Sequence, residues 1–174
     1  MKKAMSGLFA AAIVLTAYTS NAQQIGSVAS SVNPVYGRYE APAAEKALAA
    51  SEVNATALTH FTSHNKSASG AVWTATGNLQ SVYFTSNNAK MRSTYNGKGK
   101  LQYTLGYYTL AQSPKSIRDL VKADYSKMTV VLVTEVNRRG KEKYHLVKME
   151  DEKSFLTIRV LNGETELYEK ITKK

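Results

Sequence analysis

Apolar residues recur at two different spacings along the chain, and each spacing predicts a different kind of secondary structure. Within residues 45–63, apolar residues lie three and four positions apart, which predicts a helix. Residues 114–125 show the same spacing, and Ser113 and Pro114 suit the start of a helix there. Elsewhere apolar and polar residues alternate, which is typical of strands with one solvent-facing side. Together with one segment that is apolar on both faces, 128–136, this alternation predicts eight strands, over 72–76, 79–85, 89–95, 101–109, 128–136, 143–149, 155–161 and 165–171.

The predicted order is one helix followed by four strands, repeated once. Asparagine-containing pairs at 87–88, 96–97 and 162–163 join neighbouring strands, because asparagine and glycine tolerate the positive φ of tight turns. This order predicts an α+β fold of tandem helix-plus-four-strand units, in which an antiparallel sheet carries the helices on one face. The first unit is expected at residues 45–110 and the second at residues 111–174.

The N-terminus has the features of a secretory signal peptide. Two lysines open the chain, residues 8–17 form an apolar run, and small residues end it at position 22. Residues 1–22 are therefore expected to be cleaved, and residues 23–44, rich in Ser, Ala, Gly and Pro, are expected to form a loose leader. No later stretch is long and apolar enough to cross a bilayer, so we expect a periplasmic or secreted protein.

Composition narrows the chemistry that such an exported chain can use. Cysteine is absent, which excludes disulfides, thiol catalysis, cysteine-ligated zinc and iron–sulfur clusters. The net charge of +10 favours lipid headgroups, acidic polysaccharide or an acidic protein face as partners. Nucleic acid is not expected, since an exported protein rarely meets it. A purely solubilising role explains the same charge without any partner.

The sequence shows no arrangement of residues typical of an enzyme. His60 and His64 have the spacing of two metal ligands on one helix, but a third ligand and the glutamate of helical zinc proteases are missing. Residues 97–100 lack the spacing of a phosphate-binding loop, and the paired acids at 151–152 lie in a predicted turn. We therefore expect no catalytic residues, no metal and no cofactor, and a frayed polar helix end at the two histidines.

The chain has a high tyrosine content for its length, and several of the tyrosines lie in predicted strands. The chain contains 11 tyrosines against four Phe and one Trp, and a sheet face bearing several of them suits a protein or glycan partner. Two adjacent arginines open the densest basic patch, at a predicted hairpin tip. Half-exposed sheet positions and solvated edge charges explain the same residues without a partner. The candidate binding residues are Tyr83, Tyr103, Tyr107, Tyr108, Arg138 and Arg139.

Several short motifs follow one another in a definite order along residues 50–171. They are a helix ending at Phe61, Trp73 opening a strand, the Tyr83-Phe84 strand, a turn over 95–100, a helix begun by Pro114 with Ile117 and Tyr125, and a strand with Tyr144. This order resembles the PepSY-like, beta-lactamase-inhibitor-like (BLIP-like) secreted proteins of the Bacteroidetes. The resemblance implies tandem helix-plus-four-strand units and binding or inhibition of a protein partner. It implies no catalytic residues.

These observations predict an exported, non-enzymatic binding module, inhibitor-like in type, that contacts an exported or envelope protein through its open sheet face and hairpin turns. The alternative is a basic envelope-surface protein that associates electrostatically with anionic lipid or polysaccharide. The two hypotheses differ in salt dependence, because charge-driven association weakens steeply as ionic strength rises.

Overall fold

A computed structural model describes residues 45–174, and they form a sheet-dominated fold with two short helices. The predicted signal peptide (1–22) and leader (23–44) lie outside the described residues. The helices are α1 (Ala55–His64) and α2 (Lys115–Asp124), and a 3-10 turn at Ala50–Glu52 precedes the first. The strands are β1 (Lys46–Ala47), β2 (Ser69–Thr76), β3 (Leu79–Ser86), β4 (Ala89–Tyr95), β5 (Leu101–Tyr108), β6 (Thr129–Arg138), β7 (Tyr144–Glu150), β8 (Ser154–Leu161) and β9 (Glu164–Thr172).

The predicted α+β tandem of helix-plus-four-strand units is wrong, because the nine strands form one antiparallel sheet. Each strand pairs with its neighbours in sequence, so the order across the sheet runs from β1 to β9. β5 and β6 pair directly, with Tyr103 opposite Arg138, although α2 separates them in the chain. Unpaired strand edges expose backbone N–H and C=O groups, and joining the two groups of strands satisfies them. The boundary expected between residues 110 and 111 stays a prediction.

The first helix begins later than predicted. A short strand, β1, pairs with β2 in the region where the spacing of apolar residues favours a helix. Asn54 then caps α1, since its side-chain oxygen accepts hydrogen bonds from the backbone N–H groups of Thr56 at 2.9 Å and Ala57 at 3.2 Å. The start of the helix is therefore determined by this cap and by a strand pairing that local spacing does not reveal.

The second helix is confirmed at Lys115–Asp124, and its two buried residues, Ile117 and Val121, belong to the predicted apolar stripe. Its start differs in one detail. Pro114 occupies the cap position without a side-chain hydrogen bond, and the Ser113 hydroxyl donates to the Leu110 carbonyl at 2.6 Å instead of capping the helix. Ser113 therefore closes the preceding turn.

Both helices lie on the same side of the sheet, which we call the helix face. The pairing register shows this, since one row of residues crosses the sheet on a single side, through Phe84, Met91, Gly106, Glu135, His145 and Val160. α1 covers a mainly aromatic core that contains Phe61, Trp73, Phe84 and Tyr95. α2 covers a mainly aliphatic core that contains Ile117, Val121, Val133, Val147 and Ile158.

The other side of the sheet carries neither α1 nor α2, and we call it the helix-free face. A second row of residues crosses it, through Tyr83, Arg92, Leu105, Val136 and Tyr144. At its centre, four residues form a third buried cluster, namely Leu105, Tyr107, Val136 and Leu146. The sheet is therefore buried on both sides of its central strands.

Candidate functional site

The structure divides the six predicted binding residues between the two faces of the sheet. Because side chains alternate along a strand, Tyr103 and Tyr107 of β5 share the helix-free face, whereas Tyr108 lies on the helix face and packs against the α2 core. Adjacent arginines separate in the same way, and Arg139 lines a cavity on the helix face. The residues brought together on the helix-free face are Tyr83, Tyr103, Tyr107 and Arg138.

Two of these tyrosines are buried and support the fold. Tyr83 is 4% exposed and Tyr107 is 5% exposed. The Tyr83 hydroxyl donates a hydrogen bond to the Glu45 carboxylate at 3.1 Å, and the Arg92 guanidinium lies 5.1 Å from the centre of the Tyr83 ring. Burial raises the pKa of Tyr83 above its ordinary value, and it raises the pKa of Tyr107 to about 12. Neither hydroxyl is therefore readily available to a partner.

Glu45 is the residue of this face that sequence patterns missed. Its side chain is 6% exposed, and it forms an ion pair at 3.3 Å with Arg92, whose side chain is 11% exposed. The carboxylate also accepts a hydrogen bond from the Thr74 hydroxyl. Such partners are needed, since a buried charge without them costs several kcal/mol. Local spacing could not indicate this pair, because Arg92 lies 47 positions further along the chain.

A rim of partly exposed aromatic, apolar and basic side chains surrounds the buried centre of the helix-free face. Tyr103, Leu132 and Tyr144 pack against the central cluster and stay partly exposed. The Arg159 guanidinium lies 5.0 Å from the centre of the Tyr144 ring and forms an ion pair with Glu166 at 3.2 Å. The buried Nε of Arg159 has no hydrogen-bond acceptor among residues 45–174. The rim therefore combines aromatic surface with charged hydrogen-bond donors.

On the helix face, a cavity of about 350 Å³ lies between α1 and the hairpins that join β4 to β5 and β6 to β7. Its floor includes Thr104 and Asn137, which are paired directly across β5 and β6. None of the described residues that line the cavity is acidic. The polar and basic lining residues are Thr56, His60, Lys100, Thr104, Asn137 and Arg139.

One wall of this cavity is a tightly held turn between β4 and β5. The Asn96 side chain accepts two backbone hydrogen bonds within the turn, both at 3.0 Å. Asn54, the cap residue of α1, donates its side-chain amide to the Gly97 carbonyl at 3.2 Å. Gly99 has a φ of 72°, and a Cβ there would come within 2.3 Å of the Asn54 side-chain oxygen. The turn and the helix therefore form one rigid wall, and this wall carries Lys100.

His60 lies at the cavity in a positively charged environment. Its Nδ1 is 3.2 Å from the Tyr95 hydroxyl, and its ring stacks on His64 with centroids 4.2 Å apart. Burial lowers the pKa of His60, and the positive charges of His64 and Arg139 lower it further. Within residues 45–174, no group of three or more His, Cys, Asp or Glu side chains is placed to hold a metal ion.

Comparison with known proteins shows the fold but no family. No protein-family model and no curated protein matches the chain. A DUF2874 family protein from Bacteroides uniformis is 15% identical, with a TM-score of 0.57 over 69% of this chain and 89% of that one. A BLIP-like protein from Bacteroides fragilis is 9% identical, with a TM-score of 0.57 over 68% and 85%. A protein from Bacteroides eggerthii, described as a candidate periplasmic protein, is 14% identical, with a TM-score of 0.57 over 69% and 88%.

These neighbours agree with part of the resemblance seen in the sequence. The likeness to BLIP-like Bacteroides proteins appears among them, whereas none of the three is described as PepSY-like. The expected periplasmic or secreted location agrees with the description of the Bacteroides eggerthii protein. In the part of the chain that the structure describes, neither helix has the length and apolar character of a membrane span.

Proposed function

We propose that this chain is an exported, non-enzymatic binding module whose helix-free face docks on an acidic surface of another exported or envelope protein. The observation that carries the proposal is the rim of that face, where Tyr103 and Tyr144 are partly exposed and the Arg159 guanidinium lies against the Tyr144 ring. Aromatic side chains and arginine are enriched at protein–protein interfaces and among their strongest contacts. Around an apolar centre, they offer a partner both burial and charged hydrogen bonds.

The charge of the helix-free face favours an acidic partner. From β4 to β6, the charged strand residues on this face are all basic, namely Lys90, Arg92 and Arg138. Glu45 neutralises Arg92, and Glu166 pairs with Arg159 further along the sheet. Basic strand residues in this part of the face suit a negatively charged surface and speed the diffusional encounter with it.

The structural neighbours support a binding role at the level of the fold. One of them is described as BLIP-like, and none of the three named above is described as an enzyme. Export is supported by the predicted signal peptide and by the neighbour described as a candidate periplasmic protein. A PepSY-like relationship rests on the sequence motifs alone.

A matched pair of variants tests the docking face. Tyr103→Ala combined with Arg159→Gln alters the rim, whereas Lys115→Gln combined with Lys122→Gln alters two exposed residues of α2 on the opposite side. The wild-type protein is used to capture envelope proteins, the most enriched one is purified, and its Kd is measured by calorimetry for all three proteins. We expect the rim variant to bind at least about ten-fold more weakly and the α2 variant to bind like wild type.

Two outcomes of this experiment would contradict the proposal. If the rim variant and wild type bind the purified partner with equal Kd, the helix-free face is not the docking surface. If binding disappears at about 0.3 M salt, and anionic vesicles are bound as tightly as the purified protein, the chain associates electrostatically with the envelope. Circular dichroism and the unfolding midpoint must first show that both variants are folded.

A further inference from the structure

We propose that the cavity between α1, the β4–β5 turn and the β6–β7 hairpin binds a small ligand through an anionic oxygen group, which is a carboxylate, sulfate or phosphate. This cavity lies on the helix face, so the proposal is independent of the rim that serves the proposed function. Its volume of about 350 Å³ is at the lower end of small-molecule sites, which suits a ligand the size of a single sugar.

The lining residues supply the donors that such a group needs. Lys100 and Arg139 come from two different hairpins and both line the cavity. Arginine offers a planar pair of N–H donors that matches an oxyanion, and lysine adds a compact positive charge. The Asn137 amide and the Thr56 hydroxyl add neutral donors. Since no described lining residue is acidic, the cavity holds no carboxylate that would compete with a bound anion.

The site is built before any ligand arrives. The hydrogen bond from Asn54 to Gly97 and the close approach of Gly99 hold the turn that carries Lys100 against α1. On the other side, the Arg139 backbone N–H donates to the Gln102 carbonyl at 3.3 Å, which anchors the β6–β7 hairpin to β5. Rigid walls reduce the conformational entropy that is lost on binding. This preorganisation distinguishes a binding site from a chance cluster of surface lysines and arginines.

His60 reports on the charge in the cavity. The groups that face it are His64 on α1, the Tyr95 hydroxyl on β4, Lys100 on the turn and Arg139 on the hairpin. Burial lowers the pKa of His60, and repulsion from His64 and Arg139 lowers it further. A bound anion would offset this repulsion and raise the pKa of His60, so the ring is a spectroscopic probe of occupancy.

The test follows the ring resonances of the three histidines by NMR in the full mature chain. The probes are inorganic phosphate, sulfate, glucuronate and, as the neutral counterpart of glucuronate, glucose, at an ionic strength held constant with sodium chloride. We expect phosphate, sulfate or glucuronate to shift His60 saturably and to raise its pKa, and glucose to leave it unchanged. His145, which does not line the cavity, should stay unchanged with every probe. The anion that responds identifies which of the three groups the site prefers.

Two adjacent arginines supply the matched variants. Arg139→Gln should weaken binding of the responding anion at least about ten-fold. Arg138 is paired with Tyr103 on the helix-free face and does not line the cavity, so Arg138→Gln should stay within about two-fold of wild type. Both residues are exposed, so both variants are expected to fold, and circular dichroism checks this. Equal affinity of the Arg139→Gln variant and wild type would overturn the proposal, as would equal His60 shifts with glucose and glucuronate or shifts that never saturate.

Discussion

The two faces of the sheet bury tyrosine in different surroundings. On the helix face, Tyr95 is fully buried under α1 with its ring 5.6 Å from that of Trp73. On the helix-free face, Tyr83 is almost as buried, but it lies against the ion pair of Glu45 and Arg92. Burial of Tyr95 therefore rests on contact with other aromatic rings, whereas burial of Tyr83 also rests on a charge pair. The two faces should therefore respond differently to substitution and to pH.

The largest effect is expected on the helix face, from Phe61→Ala. Phe61 is 5% exposed, and its ring centre lies 5.0 Å from that of Phe84 and 5.6 Å from that of Trp73. Removing the ring leaves a cavity in the aromatic core, and we expect a loss of about 3–5 kcal/mol in the free energy of unfolding. Urea unfolding followed by the fluorescence of the single tryptophan measures it. Thr62→Ala, at an exposed neighbour, is the control, and a loss below about 1 kcal/mol for Phe61→Ala would show that α1 contributes little.

The next effect is expected on the helix-free face, from Arg92→Met. This change leaves the Glu45 carboxylate buried without its cation, and removing one partner of a buried pair costs about 3 kcal/mol. The double variant Glu45→Gln with Arg92→Met should cost less than the single one, because no uncompensated charge remains. A double-mutant cycle by urea unfolding measures the difference. Additive losses would mean that the two side chains do not depend on each other.

A smaller loss of stability is expected at alkaline pH, because a buried tyrosine on each face then ionises more readily in the unfolded chain. Burial raises the pKa of Tyr95 and of Tyr107 to about 12, whereas tyrosine in an unfolded chain ionises near 10. Between these values the unfolded chain binds fewer protons, so stability is complete below about pH 10 and declines as pH rises towards about 12. We expect each tyrosine to account for about 1–2 kcal/mol of this decline.

The pH series separates the faces with two further variants. Tyr95→Phe removes one buried phenol from the helix face, and Tyr107→Phe removes one from the helix-free face. Each should make unfolding less dependent on pH above about 10, and tyrosinate absorbance should show fewer late-titrating rings. If wild-type stability is constant from about pH 9 to 12, burial does not raise these pKa values.

The smallest effect is expected from the exposed ion pair on α2. Lys115 and Asp119 are four positions apart, and their side chains are 79% and 60% exposed. Water screens such a pair, so Asp119→Asn should leave the unfolding midpoint unchanged within experimental error. Compared with the loss of stability in Arg92→Met, this result would show that burial determines how much an ion pair stabilises this fold. A clear fall in the midpoint would contradict that conclusion.

Local patterns predict the elements of this fold better than their assembly. β4 is found at its predicted residues, 89–95, and the second helix falls within its predicted range. Asn87, Asn88 and Asn162 have positive φ in the turns where that property predicts them. The tandem units fail because the pairing of β5 with β6 joins strands that are distant in sequence, and no local spacing records a partner.

The candidate binding residues show the same division. Tyr103 lies on the partly exposed rim as a platform residue should, whereas Tyr83 and Tyr107 are buried and Tyr108 lies on the other face. Alternation along β5 could have separated Tyr107 from Tyr108 at the sequence level, since adjacent strand residues face opposite sides. Their burial could not have been predicted, because it depends on Glu45, Arg92 and the central cluster, which meet only in the folded sheet.

The sequence by itself determines where β2 to β9 and their turns occur, because alternation, helical spacing and turn residues act between neighbours in the chain. It also determines the absence of thiol chemistry, since the chain contains no cysteine. Only the tertiary structure decides that nine strands form one sheet, that Glu45 is buried beside Arg92, and that adjacent arginines serve different faces. These features depend on contacts between residues far apart in the chain, and such contacts become favourable only when the whole sheet is assembled.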